Sequence, residues 1–109
     1  MCNQKDRSLE QYMLVGAEMR LFKDIRTQLC VDASRILNVP EMDKLLRAMK
    51  KVDTICSYLE EHMFQDHPEL NHDYTDVFYG SLQIEPRTAV DDEVMQQARI
   101  VADDLFKKR

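Results

Sequence analysis

The chain has no tryptophan, two glycines, three prolines and three cysteines in 109 residues, and each shortage removes a class of protein. With only four tyrosines and four phenylalanines, an aromatic-rich surface for sugars or nucleobases has little to build on. Gly16 and Gly80 stand far apart, so a glycine-rich phosphate cradle is absent, as are collagen-like and linker-dominated stretches. Cys2, Cys30 and Cys56 are an odd set without C-x-x-C spacing, which points to reduced thiols rather than a disulfide framework or a zinc knuckle. Long apolar runs are missing as well. The longest, Tyr12 to Val15, falls far short of the roughly 20 residues of a spanning helix, and MCNQKDRSLE holds no apolar leader core. The expectation is a cytoplasmic chain with no membrane partner.

What is present suits one helical domain over residues 1–109. Hydrophobic residues make up 44% and charged residues 32%, enough apolar material to pack a core. The net charge of −5 argues against a generic binder of phosphate backbones.

Ser8 followed by Gln11 is a capping-box pattern, and helical periodicity then runs unbroken to Asn38-Val39-Pro40, predicting a first helix over about 9–38. Its apolar positions include Tyr12, Val15, Met19, Phe22, Leu29, Ala33 and Ile36, with a second set, Leu14, Ala17, Leu21 and Ile25, on an adjacent flank. Arg20, Lys23 and Arg26 read as solvated charge. Pro40 suits the first turn of a second helix over about 40–65, where its missing N–H is harmless and Glu41 and Asp43 favour the positive dipole end. Met42, Leu45, Met49, Val52, Cys56, Leu59 and Met63 hold a 3-4 heptad spacing there, widened by Leu46, Ala48 and Ile55. The tight link predicts a long antiparallel helical hairpin, with a kinked rod as the alternative.

Residues 66–88 are irregular. Val77-Phe78-Tyr79 and Leu82-Gln83-Ile84 around Gly80-Ser81 read as a tiny β-hairpin, the alternative being a short helix over Tyr74 to Tyr79 stopped by Gly80. Thr88-Ala-Val-Asp91 caps a third helix over about 89–106, with Asp92 and Glu93 at its start and Lys107, Lys108 and Arg109 at its end. Val94, Ala98, Val101 and Leu105 form its expected inward stripe, with Met95, Ala102 and Phe106 beside it. The fold class is mainly α.

Assembled chemistry is hard to find. His62, His67 and His72 lie five residues apart, which rotates each about 140° from the last on a helix, and Pro68 takes His67 out of helical geometry. Glu69-x-x-His72 has no second copy with which to build a di-metal site. Asp66-x-x-Glu69 and Asp73-x-x-Asp76, the carboxylate pairs at helical spacing, fall in the irregular segment. Cys56 occupies a core heptad position without a neighbouring base, and Cys30 has Arg26 one turn before it but no base either. No catalytic residue, metal or cofactor follows.

A helix of about 30 residues is about 45 Å long, more than a compact domain of this size spans. The second flank of the first helix therefore needs a cover, and a second copy or the third helix can supply it. The reading is a non-enzymatic protein–protein interaction or regulatory module that forms a homodimer and binds an unidentified protein partner. Leu14, Ala17, Leu21, Ile25, Tyr74, Phe78 and Tyr79 are its candidate interface. The alternative is a nucleic-acid-associated regulator using the face with Lys44, Arg47, Lys50 and Lys51; a metal-dependent enzyme using the His62 to His72 segment ranks below both.

Overall fold

The computed structural model describes residues 7–80, 82 and 85–107. They form three helices, α1 (Leu9–Ala33), α2 (Val39–Asp66) and α3 (Ala89–Lys107), with a 3₁₀ turn at His72–Tyr74 between the last two. No strand occurs among the described residues.

Each helix starts on a side-chain oxygen that accepts an otherwise orphaned backbone N–H. Ser8 Oγ accepts from Gln11 N at 3.2 Å, and Thr88 Oγ1 accepts from Asp91 N at 3.0 Å. Asn38 and Glu41 complete a reciprocal capping box, each side chain bonding the other's backbone N–H at 3.0 Å. That box explains why α1 is shorter than expected, stopping at Ala33 rather than near residue 38. Asn38 must be extended, at φ −79° and ψ 175°, to cap α2, so the chain leaves the first helix earlier. Ser34 Oγ donates to the Val31 carbonyl at 2.6 Å, and Leu37 N reaches back to Ala33 O.

Helix α1 packs against both α2 and α3, and α3 also meets the 3₁₀ turn. Bonds between α1 and α2 pair early with late positions: Tyr12 donates to Asp66, and Arg26 donates to Asp53 at 2.6 Å and to Met49 O at 3.3 Å. The two helices therefore run antiparallel at these contacts. At 47 × 34 × 29 Å with a radius of gyration of 15.6 Å, the chain is longer than the ~13 Å radius of a compact domain this size implies.

The core lies at one end. Tyr12, Met13 and Ala17 of α1, Cys56 and Met63 of α2, and Val94, Met95 and Ala98 of α3 are buried around Val77 and Phe78. The heptad stripe of α2 points inward along its length, but only Cys56 and Met63 are fully buried, and Ile55 and Leu46 remain 46% and 50% exposed. On α3, Val94 and Ala98 are enclosed, whereas Leu105, expected inward, is 60% exposed because α3 outruns its neighbours.

The expected β-hairpin is not supported. Val77-Phe78-Tyr79 lies in a run of turns from Thr75 to Tyr79, with Val77 N bonded to Tyr74 O and both Tyr79 N and Gly80 N to Asp76 O. Ser81, Gln83 and Ile84, which the hairpin also required, lie outside the described residues, as do Cys2, Lys108 and Arg109. Turns replace strands because Val77 and Phe78 are both 1% exposed or less. A strand would send alternate side chains to opposite faces, whereas this turn drives two neighbours into one core.

Both glycines serve that turn. A Cβ on Gly16 would lie 2.5 Å from Val77 Cγ1 and 2.7 Å from the Val77 carbonyl oxygen, and one on Gly80 would lie 2.5 Å from Arg20 Cζ. Only residues without a side chain let the turn press this closely on α1.

Candidate functional site

Three groupings of polar or exposed side chains stand out. The first centres on Arg20, read from sequence as solvated charge but 1% exposed. Its Nη2 donates to Asp91 Oδ1 at 2.5 Å and to the Asp76 carbonyl at 2.6 Å, and its Nε donates to the Val77 carbonyl at 3.2 Å. Asp91 is itself 5% exposed and accepts from Arg87 N at 3.2 Å. One guanidinium thus joins α1, the turn and the start of α3. Nearby, Lys23 Nζ donates to Phe78 O at 3.0 Å and sits 4.9 Å from the centre of the Tyr79 ring. These are bonds that hold the turn in place, with Arg20 and Asp91 enclosed and Tyr79 still exposed at the edge.

The second grouping lies where α1 begins and α2 ends. The Asp66 carboxylate accepts from the Tyr12 hydroxyl and from Arg7 Nε at 2.5 Å. Arg7 Nη2 also lies 3.0 Å from His62 Nδ1, and His67 Nε2 meets the Arg7 carbonyl at 2.9 Å. His67 is the C-cap of α2, at φ −132° and ψ 69°, with its ring edge-on to Tyr12 at 5.9 Å. His72 sits apart in the 3₁₀ turn, where its carbonyl accepts from Thr75 N and Oγ1. The three histidines therefore do not converge, and no group of three His, Cys, Asp or Glu able to hold a metal occurs among the described residues.

The hydrogen bond from Tyr12, then that from Arg7, holds the Asp66 carboxyl below its ordinary range; burial chiefly pushes the Tyr12 phenol up. A carboxylate with a depressed folded pKa adds stability above its unfolded pKa, about 3.9, and loses it as pH falls through the folded value. Asp66→Asn is accordingly expected to lower the urea midpoint at pH 7, with the gap to the parent chain closing below about pH 4. A gap of constant size down to pH 2 would refute that assignment.

The third grouping is a groove between α1 and α2, beyond the reach of α3. About 490 Å3 in volume and open to solvent, it is lined by Arg26, Thr27, Cys30 and Val31 on one side and Leu46, Met49, Lys50 and Asp53 on the other. It continues the channel that the Val77–Phe78 turn fills nearer the core. On the other side of the same pair, Val15, Glu18, Met19, Phe22 and Val52 surround a second, shallower depression of about 300 Å3. Ile25, Leu29, Val31, Ile36 and Val39 are between 47% and 85% exposed around this outer half.

The candidate interface residues divide across these regions. Ala17 and Phe78 are completely buried within the single chain, so they have no surface to offer. Leu14, Leu21 and Tyr74 are half-buried, Leu21 and Tyr74 against the core, while Ile25 and Tyr79 are exposed. Lys44, Arg47, Lys50 and Lys51 are all exposed on α2, with Arg47 paired to Asp43 at 2.9 Å. Cys56 is enclosed, and burial raises its thiol pKa, which leaves it a protonated filler rather than a nucleophile.

Sequence reasoning missed Arg20 and Asp91. The available signal was position: Arg20 lies three and seven residues after Ala17 and Met13, on the flank that those apolar residues define. Comparison with family models, with characterised proteins and with solved structures gives no match to this chain.

Proposed function

We propose that the chain is a non-enzymatic helical interaction module, acting in the cytoplasm, whose outer α1–α2 hairpin is the contact region and which self-associates. One observation carries this reading: large apolar side chains concentrate, uncovered, on the half of α1 and α2 that α3 does not reach. Isolated exposed apolar residues are ordinary, but contiguous patches mark contact surfaces. Tyr79 and Ile25 from the sequence-based interface fall within or beside this region, and Leu29, Val31, Ile36, Val39 and Leu46 join them.

The test is site-specific photo-crosslinking in cells that express the chain, with the reactive side chain at Leu46 or, as a control, at exposed Asp92 on α3. Adducts from position 46 and few from position 92 are expected. Equal yields at both, or none at either, defeat the reading.

A second reading draws on Lys44, Lys50 and Lys51, which carry no ion pair among the described residues. Nucleic acid bound there would show affinity falling steeply with salt, and removal of one cation would reduce the slope of log K against log salt by roughly one.

A further inference from the structure

We propose that the uncovered side of α1 and α2, facing away from the Val77–Phe78 turn, is the contact between two copies of this chain, which close into an antiparallel four-helix bundle. The proposal rests on the interaction-module reading and names its partner. On α1, Phe22, Ile25 and Leu29 follow 3-4 spacing and are 36%, 57% and 47% exposed. Val52 of α2 borders the same depression as Phe22, and Ile55, one turn further on, is 46% exposed. Two apolar stripes therefore lie side by side on antiparallel helices, the arrangement that a four-helix bundle forms by setting one such pair on another.

Charge decides between a second copy and a foreign partner. Exposed Asp32 flanks the α1 stripe, whereas Glu18 lines the depression itself; exposed Lys44 and Lys51, one turn before Ala48 and Ile55, flank the α2 stripe. Neither lysine has an ion pair among the described residues. A two-fold axis along the helices sets α1 of one copy opposite α2 of the other, and the level at which Arg26 meets Met49 and Asp53 brings Asp32 opposite Lys44 twice. The same surface is its own complement.

Size agrees with this. From Val15 to the end of α1 the face is about 30 Å long and two helices, about 20 Å, wide. Two copies would bury roughly 1,200 Å2 in total, above the ~1,000 Å2 of a specific interface. The core, the turn and α3 occupy the other side of α1, so the contact leaves them undisturbed.

Sedimentation equilibrium of the full chain at micromolar concentration tests the proposal. About twice the 12.9 kDa chain mass is expected, with Ile25→Glu and Ile55→Glu each raising the dissociation constant about 100-fold or more, because each sets an unpaired charge in a closed apolar contact. Both positions are exposed, and circular dichroism verifies that each variant folds. Lys44→Glu should weaken the dimer, and adding Asp32→Lys should restore it, since the two charges across the contact are then exchanged. A foreign partner would not be rescued by that exchange. A monomer at ~100 μM, a dimer broken by Leu46→Glu but not by Ile25→Glu, or failure of the rescue each overturns the proposal. If a monomer still gives adducts from position 46, the outer hairpin stands as a contact region for another protein, and self-association is lost from both readings.

Discussion

Replacing Asp91 with alanine is expected to cost about 3–5 kcal/mol, because it strands the buried Arg20 guanidinium without its counter-ion. A domain of this size has roughly 5–15 kcal/mol in all, so the variant should unfold at a much lower urea concentration. The reason lies in position: Arg20 is 1% exposed and bonds Asp91 at 2.5 Å, while its Nη1 has no partner among the described residues. The pair is not irreplaceable in energy, since desolvating two charges offsets much of their attraction. Arg20→Met combined with Asp91→Leu should therefore lose less than Asp91→Ala alone, and a single variant within about 1 kcal/mol of the parent would refute the buried-charge account. Gly80→Ala should destabilise through the same group, by forcing a methyl to 2.5 Å from Arg20 Cζ.

Phe78→Ala carries the other large effect, about 3–5 kcal/mol, the range for deleting a fully buried aromatic side chain. Phe78 is 0% exposed and sits among the buried residues of all three helices. Its carbonyl also accepts from Lys23. The loss would therefore loosen the packing of the connection between α2 and α3, which Val77, Leu70 and Tyr74 share. Ile25→Ala, on the uncovered side, should by contrast stay within about 0.5 kcal/mol in the monomer. Similar urea midpoints for the two variants would mean that the core is not where the turn meets α1.

The sequence showed the helices because caps and periodicity are local. Ser8 and Thr88 mark two of the starts and Pro40 the third, whose cap, Asn38, only the structure identifies, and α2 and α3 end within two residues of expectation. It did not show the end of α1, since Ser34-Arg35-Ile36-Leu37 is an acceptable helical sequence and only the geometry required by the Asn38–Glu41 box ends it. Val77-Phe78-Tyr79 was misleading for a related reason: β-branched and aromatic residues suit strands, yet burial of two adjacent side chains demands a turn. Tertiary context decided both. The interface residues were legible only as apolar positions. Which flank stays open depends on where α3 lies, and that depends on Arg20, Gly16 and Gly80, three residues whose roles exist only once distant segments meet.

The lopsided core has a consequence for motion. Amide groups near Tyr12, Cys56 and Val94 can exchange with solvent only through an opening that breaks the packed end, whereas those between Ile25 and Met49 are held by two helices with little above or below them. Local opening is easiest where the fewest buried contacts must be lost, so the hairpin can fray from its Ser34–Asn38 tip while the other end stays intact. Any molecule that settles on the outer half would then stiffen it as well as cover it. Part of its binding free energy would go into ordering the half of the hairpin that the single chain packs least.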